Sequence, residues 1–165
     1  MIRDNALALS GLLSKKVGGP SVKPYQPKGL WKEKNTFSIQ LLEYKKTGGD
    51  SLYRRGMYTF IKRGSPPPSM VSFDAISREI CTVKRENTTT PLQALVLLND
   101  TQYFEAARFL AERLKQEKGT TLEEKLINGF RLVTSRFPKQ KELDILSNQY
   151  KRQLSHFKKY PQEAK

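Results

Sequence analysis

The sequence predicts a mainly α protein, with an irregular, proline-rich N-terminal half packed on a C-terminal bundle of about four helices. Three observations carry that prediction. Helix-start signals stand at Thr90-Pro91 with Gln93 and at Thr121 with Glu124, where a hydroxyl and a Glu or Gln three residues on satisfy each other's backbone donors. Between Leu92 and Phe157 the apolar residues recur every three or four positions, the period of a helix with one buried face. Before residue 90, by contrast, prolines and glycines interrupt every run. We therefore read residues 1–165 as one partial domain, 1–90 being a helix with an extended arm and loops and 91–160 a helical bundle.

Each element follows from its residues. Asp4 is positioned to cap a helix over residues 5–15, with Leu9, Leu12 and Leu13 on one side and Gly18, Gly19 and Pro20 as its stop. The stretch PSVKPYQPKGLW holds Pro20, Pro24 and Pro27; their missing N–H groups favour an extended arm, and Trp31 is its expected anchor. Phe37, Ile39 and Leu41 alternate with polar neighbours, as in a short strand. In LYRRGMYTFIKR, Tyr53, Met57 and Phe60 or Ile61 fall at helical spacing, although Gly56 costs such a helix about 1 kcal/mol relative to alanine. Pro66, Pro67 and Pro68 predict a stiff polyproline stretch.

The last 75 or so residues read more simply. Thr90 caps a short helix that starts at Pro91, takes a return bond from Gln93, and buries Leu92, Leu95, Val96 and Leu98. Asp100 caps the next, to about residue 116, with Tyr103, Ala107, Leu110 and Leu114 on one face. Thr121 opens a third, carrying Leu122, Leu126, Phe130 and Val133. After Pro138, a fourth carries Leu143, Leu146, Tyr150, Leu154 and Phe157.

Composition excludes several functions. The net charge of +14 invites phosphate-backbone binding, but the excess is spread along the chain. Residues 1–50 hold nine cations and four anions, residues 51–100 seven and four, and the remainder fourteen and eight. With no basic block, nucleic acid is not the favoured partner. One cysteine and one histidine cannot form a disulfide or a zinc tetrad, so we expect no metal and no cofactor. No apolar run is long enough to span a bilayer.

The chemistry-bearing residues cluster in the middle third. Cys81 is the only thiol, and His156, the only histidine, is far from it in sequence. A nucleophilic thiol needs such a partner or a helix N-terminus. Free cysteine is mostly buried, and Ile80 and Val83 suggest an apolar setting. Asp74 and Glu79 as general acid and base would require a cleft that holds their pKa values apart. The favoured reading pairs them with Arg63, Arg78 and Arg85 as ion pairs that fasten irregular backbone onto the helices starting at Pro91. In LYRRGMYTFIKR, Arg54, Arg55, Lys62 and Arg63 surround Tyr53, Tyr58 and Phe60 as in a single-strand platform, but an amphipathic helix that buries its rings and solvates its charges presents the same pattern and is the favoured reading.

The segments IRDNALALSGLLS, GGPSVKPYQPKGLW, LYRRGMYTFIKR, PPPSMVSFDAISREICTVKRENTTTPLQALVLLND and FEAARFLAERL together resemble the C-terminal part of the planctomycete-type domain of unknown function 1553. The resemblance covers residues 1 to about 155, in order. It implies a large, exported bacterial protein joined to cytochrome-c-like and other domains, with no established reaction, in which Met1 is internal and the chain is a fragment. It implies an extracytoplasmic, periplasmic setting, although no signal peptide is present in this sequence. The family usually has proline where this chain has Ile76, and at the position of Thr101. Arg63, Phe73, Asp74, Arg78, Glu79, Cys81 and Arg85 match its most recognisable stretch.

The expected function is a scaffold or binding module without a complete active site. Its expected partners are other domains of the same parent, a protein or a polysaccharide. The rival readings are part of a polysaccharide hydrolase and a non-specific nucleic-acid binder.

Overall fold

A computed structural model describes residues 1–32, 43–77, 80–84, 87–116 and 121–164. Among the described residues there are six α-helices and no strand beyond isolated bridges, so the protein is mainly helical, as predicted. The chain divides into two compact units, residues 1–109 and 110–165.

In the first unit, α1 (Ile2–Ser10) stops where Gly11 turns left-handed at φ 80°, a conformation that glycine adopts without Cβ strain. The helix is thus earlier and shorter than the predicted 5–15, and Asp4 lies inside its first turn instead of capping it. The arm that follows lies beside residues 53–60, to which it is tied by backbone hydrogen bonds. Ser14 donates to Tyr53 O (3.0 Å), Val22 to Tyr58 O (2.8 Å), and Phe60 back to Val22 O (2.8 Å). Trp31 is 2% exposed, edge-on to Tyr44 at 5.0 Å and tilted against Phe60 at 5.7 Å. It is the anchor that the sequence suggested. The alternating stretch 37–41 lies outside the described residues.

The segment LYRRGMYTFIKR is not a helix. It forms two 3-10 turns, Gly49–Tyr53 and Gly56–Tyr58, with Arg54 and Thr59 extended and bridged to the arm. Gly56 explains the difference. Its N–H donates to Asp4 Oδ1 at 2.7 Å, and a Cβ on it would sit 3.3 Å from that same oxygen. The glycine that weakens a helix here admits a carboxylate to the backbone, and long-range bonds override a helical period.

The polyproline stretch ends within the three prolines, Pro67 being at φ −58° and ψ 121°. Pro68 is the first residue of α2 (Pro68–Ser72), the position where its absent N–H is no loss. Past Thr90, α3 (Pro91–Asn99) and α4 (Thr101–Gln116) begin where the caps predict. α4 buries Gln102, Tyr103 and Ala106, and Phe73 lies against the Tyr103 ring at 6.1 Å.

In the second unit, α5 (Leu122–Thr134) opens with the predicted Thr121–Glu124 capping box and closes on Ser135, left-handed at φ 59°. α6 (Gln140–Lys159) follows. Its start is held by Glu142, which accepts the Lys139 N–H at 2.8 Å and grips Arg136 through both oxygens at 2.6 and 2.8 Å. Arg136 and the Lys139 N–H pull the Glu142 carboxyl down to about 2.

Candidate functional site

The predicted cluster is only partly in view. Arg78, Glu79 and Arg85 fall outside the described residues, so the Asp74–Arg78 pairing does too. Arg63 is exposed, and Asp74 is half-buried and left-handed at φ 57°, a conformation that aspartate enters more readily than most residues. Cys81 is exposed, which corrects the expected burial. Its neighbours Ile80 and Val83 are 74% and 106% exposed, so no apolar pocket encloses the thiol.

Asp74 has a clear task. Its carboxylate accepts the Thr88 N–H at 2.9 Å and the Thr88 hydroxyl at 2.8 to 2.9 Å. Thr88 Oγ1 in turn accepts from Gln93 Nε2 at 3.1 Å. Gln93 and Thr90 complete the capping box at the head of α3. The run of threonines is thus a relay, carrying the turn after α2 to the N-terminus of α3. Asp100 closes α3 and accepts the Gln102 N–H at 2.9 Å, the capping role expected of it.

The side chains that fasten the first unit are Arg3, which sequence reasoning passed over, and Arg54, which it read as a solvated cation of LYRRGMYTFIKR and which is buried instead. Arg3 is 7% exposed. It donates to Gln102 Oε1 at 2.6 Å, Arg54 O at 2.6 Å and Leu52 O at 2.8 Å, and meets Asp4 at 3.3 Å. Burial lowers its pKa, opposed by Asp4. Arg54, 3% exposed, donates to Pro20 O at 2.9 Å and to Gly18 O, and lies over the Tyr58 ring at 3.8 Å. Guanidinium forks suit this work because five donors in one plane can satisfy carbonyls that no regular ladder reaches. Both arginines lie in stretches that carried the resemblance, IRDNA and LYRR. No local signal marked them: Arg3 stands beside the predicted cap Asp4, and Arg54 in a stretch whose spacing predicted a helix.

A carboxylate with two phenols lies nearby. Glu105 Oε1 accepts from Tyr53 at 3.0 Å and Tyr25 at 3.4 Å. Burial, with the Glu105 bond second, pushes Tyr53 up to about 12. Such a phenol is a poor base at neutral pH, and the trio holds the arm against α4.

The surface is where the first unit is open. α3 has no buried residue, and Leu92, Leu95, Leu97 and Leu98 are 56%, 55%, 45% and 72% exposed. The predicted buried helix is therefore an apolar helix in the open. Hollows of about 420 and 440 Å³ lie in the second unit, and neither is lined by the residue 63–85 set. Among the described residues no group of three or more His, Cys, Asp or Glu could hold a metal, and no helix is long and apolar enough to cross a membrane.

No curated protein and no solved structure matches the chain. The segments that meet around Arg3 and Arg54 lie within one long stretch, residues 1–150, that matches the family described as protein of unknown function (DUF1553). The chain belongs to that family.

Proposed function

We propose that the chain is a structural and polypeptide-binding module of an exported multidomain bacterial protein, and that α3 is the surface through which it joins other domains of the same parent. One observation carries the reading: a helix apolar on every side stands exposed. Such helices are ordinarily found in interiors, and burying one leucine is worth about 1.5 to 3 kcal/mol. A nine-residue helix is too short to persist by itself in water. α3 is nonetheless pre-set, by the Thr90–Gln93 box and by the Thr88 link to Asp74, so docking requires little further ordering.

An apolar surface of this kind fits a polypeptide better than a polysaccharide, whose hydroxyls need polar partners. The exported, periplasmic setting and the company of cytochrome-c-like domains are supported by the resemblance of the sequence. In the first unit, the partners of Asp74, Arg3 and Arg54 are internal, which supports a scaffold over a hydrolase.

The test places a photo-crosslinking amino acid at Leu98 in the parent protein as produced by its cell, and identifies the captured peptide by mass spectrometry. The expected capture is a segment of the same parent outside this module, lost when Leu95→Arg is added. Capture of nothing, or capture unaffected by Leu95→Arg, overturns the reading.

A further inference from the structure

α6 is longer than the helix on which it packs. The 13 residues of α5 span about 20 Å and the 20 of α6 about 30 Å, so about 10 Å of α6 has no counterpart along α5. Its apolar stripe does not stop at that limit. Leu143, Leu146, Tyr150, Leu154 and Phe157 fall within an arc of about 80° at 3.6 residues per turn. Leu143 is 7% exposed and Leu146 half-buried, whereas Tyr150, Leu154 and Phe157 are 41%, 42% and 39% exposed. One continuous seam is covered in its first half and bare in its second.

Charge decides what fits the bare half. From Asn148 to Lys159 the helix carries Lys151, Arg152, Lys158 and Lys159 and no Asp or Glu. Lys158 and Lys159 complement the partial negative charge of the helix C-terminus. Lys151 lies two turns further in, beyond the reach of that effect, and Lys151 and Lys158 directly follow Tyr150 and Phe157, along one edge of the seam, whereas Arg152 is on the opposite side of the helix. Glu163, beyond the helix, is engaged by His156 at 2.8 Å.

We propose that residues 148–159 form a docking seam for an acidic amphipathic helix of another polypeptide, whose apolar face covers Tyr150, Leu154 and Phe157 and whose carboxylates meet Lys151 and Lys158. A second copy of the same seam would set cation against cation, which costs affinity. A lipid surface calls for a broad apolar face, whereas the bare residues span about 60°, the narrow stripe of a helix–helix seam.

The probe is a synthetic helical peptide with Leu at the a and d positions and Glu at e and g. Its controls are a Lys-for-Glu counterpart, vesicles of anionic phospholipid, and sedimentation of the full chain alone. The acidic peptide is expected to bind the full chain, more weakly as salt is raised, and about tenfold more weakly to Leu154→Glu. The charge reversal Lys151→Glu/Lys158→Glu is expected to shift preference toward the Lys peptide. Failure of the acidic peptide to bind, equal binding of both peptides, or indifference to Leu154→Glu overturns the proposal. So does vesicle binding or self-association in place of peptide binding.

Discussion

Every buried polar or charged side chain among the described residues lies in residues 1–109: Arg3, Ser10, Arg54, Thr59, Lys62, Ser65 and Gln102, alongside Leu7, Val22, Trp31, Leu52, Tyr103 and Ala106. The described residues of 110–165 bury Leu143 and no polar side chain. The first unit is built on irregular backbone, whose carbonyls need partners, and arginines reach in to supply them. The second is built on helices, which satisfy their own backbone and need help only at their ends. There the help is local, from Thr121 with Glu124 and from Glu142 with Lys139 and Arg136. The contrast teaches that a polar interior here accompanies irregular chain and does not by itself mark a reaction centre.

The largest expected effect breaks the first unit. Arg3→Ala leaves the carbonyls of Leu52 and Arg54 and the Gln102 side chain without their donor, and we expect a loss of about 3 kcal/mol or more, read as a lowered denaturant midpoint. Arg3→Lys keeps the charge but not the fork, and should recover little. Full rescue by lysine would show that charge, not geometry, holds the unit.

A smaller effect sharpens the other side of the comparison. Thr121→Ala removes one local cap, for an expected loss of about 1 kcal/mol. Faster hydrogen exchange in the first turn of α5 is its signature. Exchange that quickens around Arg54 instead would mean that the cap is not a local device.

The smallest effect concerns acid. The Glu142 carboxyl ordinarily titrates at 4.5 and is held down to about 2, chiefly by Arg136. A carboxylate with a depressed folded-state pKa contributes stability that is complete above its unfolded value and disappears as pH falls toward the folded one. The start of α6 should therefore loosen between about pH 4.5 and about 2. Arg136→Gln should return the carboxyl toward its ordinary range and flatten that dependence, as followed by carbon NMR of the Glu142 side chain.

What was legible in the sequence was local. The caps at Thr90, Asp100 and Thr121 and the helices that they open could be read because each signal and its consequence lie within four residues. LYRRGMYTFIKR misled because its apolar spacing matched a helix while its backbone was committed to the arm and to Asp4. α3 misled in the opposite way. Its leucines correctly announced a helix, but the inference from apolar to buried assumed a cover that the described residues do not provide. Asp74 was singled out for an ion pair with an arginine; the partner in view is the threonine at 88, and Arg78 and Arg85 lie outside the described residues.

By itself the sequence determined the helical class, the starts of α3 to α6 and the anchoring tryptophan, because propensity, capping and period act over a few residues. Only the tertiary structure decided which arginines are interior and which leucines are bare. Those outcomes depend on chain segments 50 or 100 positions apart, as Arg3 is from Arg54 and Gln102, and no local pattern encodes such a meeting.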